Sequence, residues 1–160
     1  MATYYFAYGA DLDPEDLGLR CEMRRRQRVR FAKSTPAVLK GFRLVCNIPS
    51  HYRLGGIFNI VPDPAGEVHG AVYELHAGDA ISAAMIKEGE GLNYLLAINE
   101  VYTDKGKTLQ ALVLRAEAKS KALTPSSAYL DVVIRAARKH GLPDEWVTHL
   151  RDMAVPSKAK

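Results

Sequence analysis

Two carboxylates stand two residues apart in a glycine-broken stretch, Glu88-Gly89-Glu90-Gly91, with Tyr94 close behind. Glycines on either side let the backbone turn a carboxylate into a cleft, where it could take a proton from a substrate and hand it to a leaving group. A polar loop accounts for the same residues and is the better reading in isolation. A second segment, Tyr5-Phe6-Ala7-Tyr8-Gly9-Ala10-Asp11-Leu12, runs from an aromatic stretch through a glycine to a helix start. Glycine there lets backbone N–H groups face a small anion with no Cβ in the way. An ordinary strand–turn–helix join with core tyrosines fits equally well. The third segment, Pro125-Ser126-Ser127-Ala128-Tyr129-Leu130, puts Tyr129 on a first helical turn, either as core or as the wall of a pocket.

Other chemistries find less support. The chain contains no GxGxxG, no GxxxxGK[ST] and no GxSxG, so those nucleotide cradles and that serine elbow are not expected. His69 and His76 are seven apart with no cysteine or carboxylate at ligand spacing, and read as solvated or hydrogen-bonded side chains rather than metal ligands. Neither Cys21 nor Cys46 has the flanking residues of a known nucleophile. The run Arg24-Arg25-Arg26-Gln27-Arg28-Val29-Arg30 could follow a phosphate backbone. It lacks interleaved aromatics, and a solvated helix end is the preferred reading, so nucleic acid is not the expected partner.

The elements that must position these residues follow from pattern. Thr3 to Tyr8 suits a buried strand ending at Gly9, and Asp13-Pro14-Glu15-Asp16 combines a capping Asp, a proline at the first helical position and acids in the first turn. That helix is expected to reach the arginines near Arg24. Strands are expected over Val38–Cys46, Tyr94–Tyr102 and Leu109–Leu114, the last two joined by Thr103-Asp104-Lys105-Gly106. Ile57–Val61 and Val68–Leu75 read as a hairpin turning at Pro62-Asp63-Pro64-Ala65-Gly66, and Asp79 to about Glu88 reads as a short helix. Helices also start at Ser126 or Ser127 and at Pro143-Asp144-Glu145, the first closing at His140-Gly141. About six strands in hairpins with helices between them is not a βαβ alternation, so the expected class is α+β, with a small, mostly antiparallel, barrel-like sheet.

Composition agrees with one globular domain. The chain has 160 residues, 48% hydrophobic and 25% charged, with a net charge of +4, which excludes intrinsic disorder as the main reading. A single domain over 1–154 with a flexible tail at 155–160 is expected. Two cysteines make no disulfide framework, the N-terminus has no basic region and runs straight into a strand-like segment, and no apolar run approaches the ~18 residues of a membrane span, so the expected location is cytoplasmic, with no membrane partner.

Taken in order and spacing, the three segments resemble the gamma-glutamylcyclotransferase-like family, which includes the AIG2 and gamma-glutamylamine cyclotransferase proteins, over most of the chain. The family's opening YFAYGSNL is matched by the segment from Tyr5 to Leu12. Its central portion resembles Gly55-Gly56-Ile57-Phe58-Asn59-Ile60-Val61-Pro62 followed by Gly66-Glu67-Val68-His69-Gly70-Ala71-Val72-Tyr73-Glu74-Leu75. Its end resembles Pro125-Ser126 before Tyr129-Leu130, then His140-Gly141-Leu142-Pro143.

The resemblance implies a cofactor-free reaction in which the free α-amine of a γ-glutamyl compound attacks its own γ-carbonyl, releasing 5-oxoproline and an amine or amino acid. It implies a substrate cradle from Tyr5, Phe6, Ala7, Tyr8, Gly9, Ala10 and Asp11, with Tyr94 and Tyr129 beside it, and a homodimer as a common assembly. The family's Leu-Asp-x-x-Glu-Gly pattern aligns Ile86 with its leucine and Glu90 with its catalytic glutamate. Glu88 is the alternative, which would put Ala84 at the leucine position. Ala10-Asp11 replaces the family's Ser-Asn, so a carboxylate stands near the implied anion site. An Asp11 side chain facing the pocket would repel a substrate carboxylate, whereas one facing away would change little.

Overall fold

The computed structural model describes residues 3–23, 31–75, 94–117 and 121–154. Within them, β1 (Thr3–Ala7), β2 (Phe31–Ser50), β3 (Gly55–Leu75), β4 (Tyr94–Thr103) and β5 (Thr108–Ala116) form a closed barrel in the order β1-β3-β2-β4-β5. Three helices accompany it: α1 (Pro14–Met23), α2 (Ser127–Lys139) and α3 (Asp144–Asp152). The class is α+β, as expected. All neighbouring strands pair antiparallel except β1 and β5, which close the barrel in parallel through Tyr5 and Leu112.

Among the described residues there are five strands rather than about six, because the expected hairpin over Ile57–Leu75 is a single strand, β3. Pro62-Asp63-Pro64-Ala65-Gly66 does bend, and the Asp63 carboxylate accepts from the Ala65 N–H. The bend is an excursion inside one edge of a ribbon, not a reversal. Lys40 pairs with Glu67 and Phe42 with Pro62, so the single residue Gly41 of β2 faces four residues of β3. Gly41 has φ 87°, and a Cβ on Gly66 would lie 2.3 Å from the Phe42 carbonyl oxygen, so glycine is needed on both strands. The true reversal lies between β2 and β3 at His51–Leu54, where Leu54 holds a left-handed φ of 58°.

Helix signals are realised closely. α1 begins with Pro14 at its first position, and the Asp13 carboxylate accepts from the Glu15 N–H. On α2 the Ser126 hydroxyl accepts from the Tyr129 N–H, and at the far end Gly141 N–H donates to Arg138 while Leu142 N–H donates to Ala137. That pair of bonds is the Schellman pattern, with Gly141 at φ 74°. α2 buries Tyr129, Leu130, Val133, Ile134, Ala136 and Ala137, and α3 buries Trp146, Val147 and Leu150. The barrel wall is locked by Asn59, fully buried on β3. Its side chain donates to the Ala116 carbonyl and accepts the Ala116 N–H, both at 2.9 Å, and also donates to Asn47. Among the described residues no helix is long and apolar enough to cross a membrane.

Candidate active site

A cleft opens at the end of the barrel where β1 runs out. It is lined by Tyr5, Tyr8, Gly9, Ala10 and Asp11 from the first segment, Arg20 from α1, Ile48, Ile57 and Phe58 from the β2–β3 ribbon, Tyr94 and Leu114 from the β4–β5 hairpin, and Tyr129 from α2. The chain leaves β1 at Ala7 and turns through Gly9 into a single 3-10 turn, Ala10–Leu12, where the Leu12 N–H donates to the Gly9 carbonyl. Gly9 and Ala10 sit at the start of this turn, and among the described residues no acceptor takes their N–H groups. A Cβ on Gly9 would lie 3.2 Å from the Tyr129 hydroxyl, so the absent side chain is what lets Tyr129 close the cleft from above.

Tyr129 is core and wall at once. Only 2% exposed, it accepts the Phe58 N–H at 3.1 Å through its hydroxyl and packs its ring 5.4 Å from Phe58. Its delivery depends on the segment before α2, which crosses the ribbon: Leu123 N–H donates to Cys46, and Gly56 N–H donates to Thr124. A Cβ on Gly56 would collide with Cys46 and Leu123 at 2.7 Å, which accounts for the second glycine of Gly55-Gly56.

The floor is a buried chain of alternating charge. Asp11 accepts from the Tyr5 hydroxyl and from Arg20 Nη2, each at 2.5 Å. Arg20 Nε donates to Asp16 at 3.0 Å, and Asp16 accepts from Arg53 Nη2 at 2.5 Å. Arg53 comes from the β2–β3 turn and stacks over both Tyr52 and Tyr129, 4.9 and 5.3 Å from their ring centroids. Burial, with the Asp11 charge second, holds the Tyr5 hydroxyl well above the ordinary tyrosine range. Burial does the same for Tyr8, whose hydroxyl donates to the Leu114 carbonyl at 2.6 Å. Both hydroxyls are therefore neutral donors around pH 7.

Of the residues expected in the cradle, Tyr5, Tyr8, Gly9, Ala10 and Asp11 line the cleft together with Tyr94 and Tyr129. Phe6 and Ala7 are buried and do not line it, because β1 sends them into the packing against β3, where they pair with Val72 and Ala71. Asp11 does face the cleft, but its charge is matched by Arg20. Glu88, Glu90, the expected Asp79–Glu88 helix, His76 and the arginine run at 24–30 lie outside the described residues. Sequence reasoning missed Arg20, although Asp16 and Arg20 stand four apart on a helix and that spacing is a pairing signal. It had no means of finding Ile48, Ile57, Phe58 or Leu114, which reach the cleft only through strand register. Cys46 is walled off, and burial pushes its thiol up to about 12. Cys21 is also a free, buried thiol.

Residues 67–150 match the model of the AIG2-like family. The chain belongs to that family. No curated protein matches the chain in sequence. Among solved structures, this AIG2-like protein is similar to a gamma-glutamyl cyclotransferase, with 26% identity, TM-score 0.76, and coverage of 94% of this chain and 87% of that one. It also shares its fold with an uncharacterized protein from Homo sapiens, at 24% identity and TM-score 0.80 over 99% of this chain and 91% of that one. A yeast gamma-glutamyl cyclotransferase specific to glutathione has the same fold at 15% identity and TM-score 0.63, over 96% and 98% of the two chains. The barrel with its flanking helices is thus the gamma-glutamyl cyclotransferase fold.

Proposed function

We propose that this AIG2-like protein is a cyclotransferase that releases 5-oxoproline from a small γ-glutamyl compound. The observation that carries the reading is the convergence on one cleft of the Gly9–Ala10 backbone with Tyr5, Tyr8, Asp11, Tyr94 and Tyr129, in a chain of this family. The substrate's own α-nitrogen bonds to its γ-carbonyl carbon, and the bond from that carbon to the leaving nitrogen breaks. No cofactor or enzyme nucleophile is needed, because ring closure brings the reacting atoms together within one molecule.

The protein's tasks are to hold the α-carboxylate, to remove a proton from the α-ammonium and to return a proton to the leaving nitrogen. The N–H groups of Gly9 and Ala10 suit the first task. Glu90 is assigned the other two, acting first as base and then as acid, with Glu88 as the alternative. Tyr5 and Tyr8, kept neutral by burial, remain hydrogen-bond donors throughout.

The deciding experiment is 5-oxoproline release measured across a panel of γ-glutamyl amides and dipeptides. Glu90→Gln is expected to lower kcat by about 10²–10⁴ with folding intact, and Glu88→Gln to cost far less. The opposite ranking makes Glu88 the base. Ligand binding with no 5-oxoproline from any donor would identify a binding module instead, the reading that the exchange of Ser-Asn for Ala10-Asp11 favours.

A further inference from the structure

The 3-10 turn Ala10–Leu12 is held at its start by β1 and at its end by two side chains from distant parts of the chain. The Leu12 carbonyl accepts the Tyr73 hydroxyl at 2.9 Å and meets His140 Nε2 at 2.7 Å. A carbonyl oxygen only accepts, so the His140 proton sits on Nε2, as it does in one neutral tautomer and in the imidazolium alike. Tyr73 comes from β3 and is 1% exposed, and burial holds its hydroxyl far above the ordinary tyrosine range, with Asp11 and Asp13 adding to the effect. His140 is the residue that caps α2, where Gly141 at φ 74° stops the helix. The two rings stand edge to face, 5.7 Å between centroids, and His140 Nε2 lies 3.0 Å from the Tyr73 oxygen.

One donor satisfies a buried carbonyl, and here two converge on the same oxygen. A single 3-10 turn needs this support. Its own bonds are few, Leu12 N–H to Gly9 and Asp13 N–H to Ala10, each at 3.0 Å, and 3-10 bonds are poorly aligned. Neither Tyr73 nor His140 lines the cleft.

We propose that Tyr73 and His140 are positioning residues: by fixing the Leu12 carbonyl at one end of the turn, they set the direction of the Gly9 and Ala10 N–H groups at the other. The assignment rests on the cyclotransferase reading for what those N–H groups hold. Donors aimed in advance need no reorganisation when a ligand arrives. The substrate's α-carboxylate takes no part in the bonds that form and break, so its contacts are the same before and during ring closure. Loosening them raises KM and leaves kcat in place.

The test compares Tyr73→Phe, His140→Leu and His140→Gln, whose amide N–H reaches about as far as Nε2. Two readouts are used, steady-state kinetics with a γ-glutamyl donor and amide hydrogen exchange by NMR. Tyr73→Phe and His140→Leu are each expected to raise KM about tenfold, with kcat held within about twofold. His140→Gln should restore most of the loss. Exchange of the Leu12 and Asp13 N–H groups should quicken about tenfold in the first two variants, with the β4–β5 amides unchanged. Equal quickening in the turn and in β4–β5 overturns the proposal, because the two side chains then serve the fold as a whole. Unchanged exchange at Leu12 and Asp13, or a fall in kcat at constant KM, overturns it as well. Should His140→Leu fail to fold, Tyr73→Phe carries the test, since it keeps the buried ring. Failure of every γ-glutamyl donor to yield 5-oxoproline overturns the cyclotransferase reading instead, and the exchange rates still decide whether Tyr73 and His140 hold the turn.

Discussion

The protein buries polar groups in two ways, in two regions that adjoin at the cleft. Along the barrel wall, Asn59 satisfies both backbone groups of Ala116 with a neutral amide, fully buried. Beneath the cleft, Asp11, Arg20, Asp16 and Arg53 satisfy one another with full charges. A neutral clasp suffices to close a sheet. Buried ion pairs carry a desolvation penalty that their attraction often fails to exceed, so they are weak candidates for a purely structural device. The charged chain lies where a ligand would meet it, and the neutral clasp lies where only the barrel does. The regions still communicate, because Ala116 pairs with Tyr94 across β4 and β5, and Tyr94 lines the cleft.

The largest expected effect breaks the neutral side of this contrast. Asn59→Ala strips partners from the Ala116 N–H and carbonyl together, each orphaned group costing about 1–3 kcal/mol, so denaturant unfolding should show a loss of about 4 kcal/mol. If the loss is below about 1 kcal/mol, the barrel is closed mainly by the β1–β5 pairing. Arg53→Met comes next. It keeps side-chain bulk but removes one of two partners of Asp16, and a loss of about 3 kcal/mol is expected. Because Arg53 also stacks on Tyr129, this variant should raise KM as well, whereas Asn59→Ala should act on stability first.

Tyr129→Phe is a smaller probe. It removes the hydroxyl that accepts the Phe58 N–H, at a cost of about 1–2 kcal/mol read from the same unfolding curves. The smallest effect lies at the other end of β4, beyond both networks. There His69 stacks 5.1 Å from Trp146, and burial lowers its pKa against the opposing pull of Glu67 and Glu145. A depressed histidine favours its neutral form in the folded state. Its contribution to stability is complete above the unfolded value, about 6.5, and is lost as pH falls from there through the folded value. His69→Gln should flatten the decline of Tm between pH 7 and 5 slightly. An unchanged slope would place the pH dependence in other groups.

Much of this was legible in the chain. The Pro14 and Ser126 helix starts, the Gly141 stop and the β4–β5 hairpin all use local chemistry that a short window contains. The ribbon was misread because Pro62–Gly66 carries the residues of a reversal without making one, while the actual reversal uses Leu54 in a left-handed conformation that leucine does not advertise. The charged floor was half legible. Asp16 and Arg20 share a helix face, but Asp11 and Arg53 join them only after the 3-10 turn and the β2–β3 turn have been placed in space.

The excursion at Pro62–Gly66 has an evolutionary and practical side. Pairing is in register on both sides of it, Lys40 with Glu67 and Phe42 with Pro62, so a change of chain length there leaves every other cross-strand pair where it was. Most positions in a closed barrel forbid insertion, since one added residue turns a whole strand inside out. This one works as an expansion joint, at which relatives can differ in length and an epitope or fluorophore can be spliced in without disturbing the cleft.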